Sequence, residues 1–464
     1  MQSDSVETLE DVPAIIYIMK RLKTKRKLLK ILVATMCFLG AAQVAFRCQK
    51  TSNQDEEKSA SRLEVVQKWS PFHVIRNQLN SSLVANSSAD RDERPQMQLR
   101  LLSTHAANQT GAFCLDGSAP GYYFQPGVAA GLRKWVIYLP GGEACFTLEA
   151  CRKRTLQTKG LGPGTTRKLA NTTKGHALRS ADKTINPEFW DWNMVEAVYC
   201  DGFFFSGDRA DVVVHSGRRL YFRGKRILHA IVADLLTRGL AQATDVIFHG
   251  FSAGAVAVLR HASWFREQLP LTVNFRVFAA SAAFPMLRSV RTGRFFNETT
   301  LFPAVIMHHA ARSVPKACLQ EADPSGLTLK CHEPFGLLQY QSAPLFVAGY
   351  VYDAWMLDNS LEARCTPKTC RGASEREGLK NLSREISETL PGLLKPQDGM
   401  FIVNCKKHFI ITEHNTWTAG VTVQGVTAAK AFTDWFYGRG NSHRHMDCVT
   451  FQCYPNPTCT KARL

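Results

Sequence analysis

The alternation of apolar and polar positions divides the chain near residue 95. Before that point the one sustained apolar run is 31–46, broken only by Thr35 and Gln43. After it, runs of strand length alternate with helical patterns. Trp135-Val136-Ile137-Tyr138-Leu139 reads as a buried strand closed by Pro140-Gly141-Gly142, and residues 193–200 as a second. Residues 222–238 read as an amphipathic helix, with Ile227, Leu228, Ile231 and Leu235 on one face and Gly239 as its stop. A strand at 245–248, a helix at 255–261 and strands at 275–278 and 345–352 follow. The Lys-, Thr- and Gly-rich stretch 152–185 reads as a surface excursion, and the charged stretch 360–400 as a surface helix with loops. Strands alternating with helices predict an α/β fold, a mainly parallel sheet with helices on both faces.

The amino-terminal run is read differently because of what flanks it. Lys20, Arg21, Lys23, Lys25, Arg26, Lys27 and Lys30 precede it. Basic residues before an apolar run place the amino terminus in the cytosol. Sixteen helical residues span about 24 Å, short of the roughly 30 Å hydrocarbon core, although Leu28 and Leu29 extend the run if Lys30 snorkels. The expected plan is a cytosolic basic head at 1–30, a transmembrane signal anchor at 31–46, a glycosylated stem at 47–95 and a lumenal domain at 96–464. Localisation is then single-pass type II in a secretory-pathway membrane, Golgi-like because the span is short. A cleaved signal peptide ending near Gly40-Ala41-Ala42 is the alternative.

Covalent chemistry agrees with passage through that pathway. Sequons stand at Asn80, Asn86, Asn108, Asn171, Asn297 and Asn381. Of 14 cysteines, Cys37 and Cys48 belong to the run and its edge, which leaves an even dozen for disulfides. No C-x₂-C pair occurs, so no metal is expected, and no cofactor is called for. Net charge is +18, of which the first thirty residues carry seven basic and four acidic groups, or +3. The remaining excess of about +15 suits an anionic glycan, uronate-bearing or sulfated, or an anionic surface, and equally a solvated basic surface with no specific partner. A nucleic-acid partner is not expected, since no binding module is recognisable.

Chemistry concentrates at Gly250-Phe251-Ser252-Ala253-Gly254. A strand, a G-x-S-x-G turn and a helix in that order form a nucleophile elbow, which lifts the serine hydroxyl above the sheet. An elbow serine needs a carboxylate and a histidine, in that chain order. Asp353 abuts the strand 345–352, with Asp358 as its rival. His408, His414, His443 and His445 are the candidate bases, His408 being preferred because Cys405 can pin its loop.

Longer blocks carry a family likeness. Gly111-Ala112-Phe113-Cys114-Leu115-Asp116-Gly117-Ser118-Ala119-Pro120-Gly121-Tyr122 and Leu139-Pro140-Gly141-Gly142 with Cys145 resemble the opening of the pectin acetylesterase/Notum family of serine carboxylesterases. Asn186-Pro187-Glu188-Phe189-Trp190-Asp191-Trp192-Asn193, Tyr199-Cys200-Asp201-Gly202, Ser206-Gly207-Asp208 and Leu220-Tyr221-Phe222-Arg223-Gly224 are similar to its next blocks. The tail with Asp447-Cys448, Cys453 and Asn456-Pro457-Thr458-Cys459 resembles its cysteine-rich end, so the likeness runs collinearly over about residues 100–460. It implies a disulfide-stabilised α/β-hydrolase-like fold with Ser252 as nucleophile, Asp353 as acid and His408 as base. It also implies an oxyanion hole from the amides of Gly142, Glu143 and Ala253. The disulfides it implies are Cys114–Cys200, Cys145–Cys151, Cys318–Cys331 and Cys365–Cys370, with the pairing of Cys405, Cys448, Cys453 and Cys459 open.

Three departures bear on substrate. The chain has Leu139-Pro140-Gly141-Gly142 where the family has L-E-G-G, Glu143-Ala144 where it has a tryptophan, and Ala279-Ala280-Ser281 where it has an aspartate. A lost aromatic and a gained carboxylate at the pocket mouth argue against long acyl chains. The expected function is therefore hydrolysis of O-acyl esters, acetyl first, on a secretory-pathway or extracellular glycan. A Notum-like removal of a fatty acyl group from a secreted protein, and a catalytically silent lumenal binding protein on the same scaffold, are the alternatives. The substrate partner is accordingly an acylated glycan or an acylated protein.

Overall fold

Period-two alternation decides how the central sheet is filled. A computed structural model describes residues 94–157, 162–322, 324–410 and 415–460. The expected head, anchor and nearly all of the stem, with Asn80 and Asn86, lie outside the described residues, as does His414. Among the described residues no helix is long and apolar enough to cross a membrane.

Ten strands form one sheet. They are β1 (Met97–Leu101), β2 (Gly121–Gln125), β3 (Lys134–Leu139), β4 (Thr172–Thr173), β5 (Asn193–Ala197), β6 (Asp245–Phe251), β7 (Asn274–Ala280), β8 (Leu345–Tyr350), β9 (Gly399–Val403) and β10 (Arg444–Met446). Their order across the sheet is β10-β9-β8-β7-β6-β3-β5-β2-β1-β4. From β10 to β5 every neighbouring pair is parallel, and β2, β1 and β4 close the other edge antiparallel.

Successive residues of each strand enter different cores. Trp135, Ile137, Val246, Phe248, Val277, Leu345, Val347 and Ile402 pack with Ile227, Leu228, Ile231 and Leu235 of helix α1 (Gly224–Thr237) and with helix α2 (Ala253–Glu267). Val136, Ile247, Phe278, Phe346 and Phe401 pack on the opposite face against Phe432 and Trp435 of helix α3 (Ala428–Tyr437). A parallel sheet covered on both faces needs apolar residues at every position, so its strands read as continuous apolar runs.

The expected α/β class holds, with boundaries shifted by a few residues, but the stretch 152–185 is not the surface excursion expected, since it buries Arg154, Thr165, Ala177, Leu178 and Arg179. The strand expected at 193–200 ends at Ala197, and that expected at 245–248 runs on to Phe251. Phe401-Ile402-Val403 belongs to β9, and the antiparallel edge and α3 add to what the pattern predicts. Parallel strands send all their carboxyl ends to one edge of the sheet. The loops after β3, β6, β7, β8 and β9 therefore share a neighbourhood.

Phe432 holds one side of this layer. It is fully buried, its ring centroid 4.6 Å from that of Phe278 and 5.4 Å from that of Phe346. Phe432→Ala is expected to destabilise the domain by about 3–5 kcal/mol, read as a fall in the urea midpoint without a change in slope.

Candidate active site

Ser252 sits where β6 turns into α2, with φ 54° and ψ −122°. Such a backbone is costly for a residue with a side chain, and only tight surroundings maintain it. Two glycines make the turn possible. A Cβ on Gly254 would lie 1.9 Å from the carbonyl oxygen of Leu139, and one on Gly250 would lie 2.2 Å from that of Gly254. The start of α2 is thereby pressed against the end of β3. Ala253 opens the helix, where backbone amides lack partners within it.

The loops after β8 and β9 bring two more side chains. His408 Nε2 stands 2.9 Å from Ser252 Oγ, and His408 Nδ1 stands 2.7 Å from Asp353 Oδ2. A neutral ring with its proton on Nδ1 donates to the carboxylate and accepts from the serine hydroxyl. Asp353 is almost fully buried, which pushes its carboxyl pKa up against the opposing pull of His408 and the amides of Met356 and Trp355. Its other oxygen accepts from the amide of Met356, capping the helix Ala354–Asn359. Both carboxylate oxygens are thus committed. Asp358, the rival acid, is exposed and faces Lys406 at 3.7 Å. His443 and His445 lie at and inside β10, against β9.

Several further residues hold His408 in place, and among them the sequence offered only Cys405 for that role. Ser281 Oγ donates to the His408 carbonyl at 2.6 Å, so the serine standing in the place of the family aspartate braces the loop of the histidine. The rings of Phe251, Phe409 and Phe284 lie 5.2, 5.5 and 6.4 Å from the imidazole. Cys405 is bonded to Cys459, and the tail's other pair is Cys448–Cys453. The remaining pairs are Cys114–Cys200, Cys145–Cys151, Cys318–Cys331 and Cys365–Cys370. Among the described residues, the two clusters with metal-like spacing each contain one of these bonded pairs, whose sulfurs are not free thiolates.

The loop after β3 faces the serine. The Gly142 carbonyl accepts from the Arg154 guanidinium, and the Glu143 carbonyl accepts from the Tyr199 hydroxyl at 2.6 Å. In a trans peptide the amide points opposite to the carbonyl, so the amides of Glu143 and Ala144 are turned away from Arg154 and Tyr199. Glu143 and Ala144 line the cavity beside Ser252 and Ala253, while Gly142 is buried behind them. Cys145–Cys151 closes the loop, and the Cys145 amide donates to the Gly202 carbonyl at 2.8 Å.

A cavity of about 50 Å³ opens at Ser252. Phe146, Val256, Phe284, Phe296, Leu301 and Trp355 form its apolar wall together with Phe204 and two prolines. The departure at Glu143-Ala144 therefore does not strip the pocket of aromatic surface, which comes from Phe146 in the same loop and from later segments. Glu143 is exposed, and its carboxylate accepts from Trp355 Nε1 at 3.2 Å across the rim. Of the sequons, Asn108 and Asn171 are exposed and Asn381 is half-buried. Asn297 differs: it is buried and lines the cavity, so a glycan on it would have to occupy the pocket.

Known proteins share this plan. Residues 91–460 match the pectinacetylesterase family. Pectin acetylesterase 11 of Arabidopsis thaliana is 30% identical over 364 residues, covering 75% of this chain and 89% of that protein. The palmitoleoyl-protein carboxylesterase NOTUM of Homo sapiens is 28% identical over 358 residues, covering 74% and 68%. The solved structure of the Wnt deacylase Notum from Drosophila matches the fold with a TM-score of 0.66 at 18% identity, covering 76% of this chain and 97% of that one.

Asp201, beneath the loop after β3, yields a pH test. Burial pushes its carboxyl from an ordinary 3.8 up to about 6, and Oδ1 has no hydrogen-bond partner. A folded-state pKa above the unfolded value means that the fold binds the proton more tightly. Stability drawn from that proton is present at low pH and is lost as pH rises from about 4 to about 6. Asp201→Asn should raise the thermal midpoint at pH 7.5, with the gain vanishing below about pH 4, read by melting curves across that range.

Proposed function

The chain belongs to the pectinacetylesterase family and is a carboxylic ester hydrolase, and we propose that it removes short O-acyl groups, acetyl first, from a glycan by serine catalysis. One observation carries this reading: His408 bridges Ser252 and Asp353 by two hydrogen bonds at the mouth of a small apolar cavity. His408 Nε2 takes the Ser252 proton as Oγ attacks the ester carbonyl carbon, and Asp353 stabilises the imidazolium that forms. The amides of Ala253 and Glu143, with Gly142 shaping the loop, face the developing oxyanion. Such a donor is typically worth about 2.7–4 kcal/mol of barrier. Collapse returns the proton to the leaving alcohol, and water then cleaves the acyl-enzyme by the same route.

Short acyl groups are favoured by volume. The cavity at Ser252 leaves about 50 Å³ of room between close aromatic walls. The glycan acceptor rests on the relatives named pectin acetylesterases and on the part of the +18 net charge that lies beyond the first thirty residues. The aromatic wall favours a second reading, a deacylase acting on an acylated protein, as the NOTUM name states of that relative. Six disulfides support a lumenal or extracellular domain. The basic cluster before residues 31–46 supports the type II anchor, with the stem and the surface sequons on the lumenal side.

Two measurements test the chemistry. Nitrophenyl esters of increasing chain length, given to the full chain, should show kcat/KM falling from acetyl and butyryl to octanoyl. Faster octanoyl turnover would replace the first reading with the second. Ser252→Ala should lower kcat by at least about 10⁴-fold.

Asp353→Asn separates stability from activity. The raised pKa of Asp353 means that its ionised form is carried into the fold at a cost near neutral pH. The amide can still cap Met356 but cannot hold the right histidine tautomer. The variant should melt at or above the wild-type temperature while kcat falls by about 10⁴. A lower melting point together with retained turnover would remove Asp353 from the mechanism.

A further inference from the structure

A second cavity lies behind the first. Its volume is about 510 Å³, and its lining is mixed but more polar than that of the first, with Thr292, Arg294, Thr299, Thr300, Asn359 and Glu362 among the residues. Two residues, Phe296 and Ser360, line both this cleft and the cavity at Ser252. Ser360 stands away from the catalytic end. Asp353 caps the first turn of Ala354–Asn359 and Trp355 forms the rim, whereas Ser360 follows the last turn of that helix. Five residues of helical rise separate Trp355 from Ser360, about 7–8 Å.

Phe296 is braced for such a position. Its ring packs edge-on against Phe146 at 5.5 Å and Trp355 at 5.6 Å. The π-helical turn Asn297–Leu301 that follows carries Asn297 and Leu301 into the acyl cavity while Thr299 and Thr300 face the cleft. One short segment thus serves as a wall with an apolar side and a polar side.

We infer that Phe296 is a septum that determines acyl length: the acyl group held at Ser252 ends against its ring, and the polar cleft behind is a second subsite reached only when that ring is removed. The inference rests on the reading of Ser252 as nucleophile. An alkyl chain that stops at Phe296 stays within aromatic surface. One that passes it enters a cleft lined by the Arg294 guanidinium and by the Glu362 carboxylate, the latter held by Arg291 and Ser289, so Arg294 is the cation that an acyl group ending in a carboxylate would meet.

The full chain carrying Phe296→Ala, with Phe296→Val as the smaller change, tests this against nitrophenyl acetate, octanoate and the suberate half-ester. The octanoyl-to-acetyl ratio of kcat/KM should rise at least tenfold in Phe296→Ala and less in Phe296→Val. Adding Thr299→Trp, which refills the cleft from an exposed position, should return the ratio towards wild type. The suberate half-ester should outrun octanoate in Phe296→Ala, and Arg294→Glu should reverse that order. Ratios within twofold of wild type in both Phe296 variants would overturn the septum, as would a gain that Thr299→Trp leaves untouched. Octanoate binding by calorimetry reads the same wall without turnover. Phe296→Ala should bind at least tenfold more tightly, and equal affinities overturn the septum whether or not Ser252 proves active. Loss of the Ser252 reading appears separately, as wild-type turnover that Ser252→Ala does not reduce.

Discussion

The closeness of α2 to the end of β3 is the constraint on which the rest of the site depends. With Gly254 against the Leu139 carbonyl there is no room for a Cβ, and Ser252 is left with a positive φ. Strain of this kind costs about 1–3 kcal/mol, and it persists because both flanking segments are anchored elsewhere. β3 is hydrogen-bonded to β5 and β6, and α2 is buried along its length among Val256, Leu259 and Phe265. The serine is therefore positioned by the central layer of the protein rather than by a surface loop.

Around this rigid point the other participants arrive on loops, and each loop has its own fastening. Asp353 is fixed by capping its helix, His408 by Ser281 and the Cys405–Cys459 bond, and the loop after β3 by Arg154, Tyr199 and Cys145–Cys151. The fastenings differ in chemistry, yet they serve one end. Effective catalysis demands side chains held to within a fraction of an ångström, and supporting contacts supply that precision.

Much of this was legible in the chain because the relevant signals are local. A strand, a turn with two glycines and a helix occupy one continuous stretch, so the elbow at Ser252 could be read without tertiary knowledge. Asp353 was readable for a similar reason, since it directly follows an apolar run. His408 was harder, because a loop histidine carries no pattern of its own, and family likeness separated it from His443 and His445. Ser281 and Phe296 were not legible as site residues. Ser281 acts through a contact 127 residues away in sequence, and Phe296 faces two cavities only after the sheet has brought 296 and 360 together. The short edge strands β4 and β10, of two and three residues, are too brief to show any period. The pocket wall was misjudged for a related reason: aromatic surface missing at 143–144 is supplied by Phe146 two residues on and by Phe284, Phe296 and Trp355 far along the chain.

The Cys405–Cys459 bond also sets an order in time. Cys459 follows His408 by 51 residues, so the nucleophile, its acid and the histidine itself are all translated before the bond that fixes the histidine's loop can form. At synthesis rates of about 5–20 residues per second that interval is roughly 3–10 s. Through it the nascent domain carries Ser252 on its elbow while the loop of His408 lacks its covalent fastening. Until oxidation closes the tail, that loop has only its non-covalent fastenings, the Ser281 hydroxyl among them.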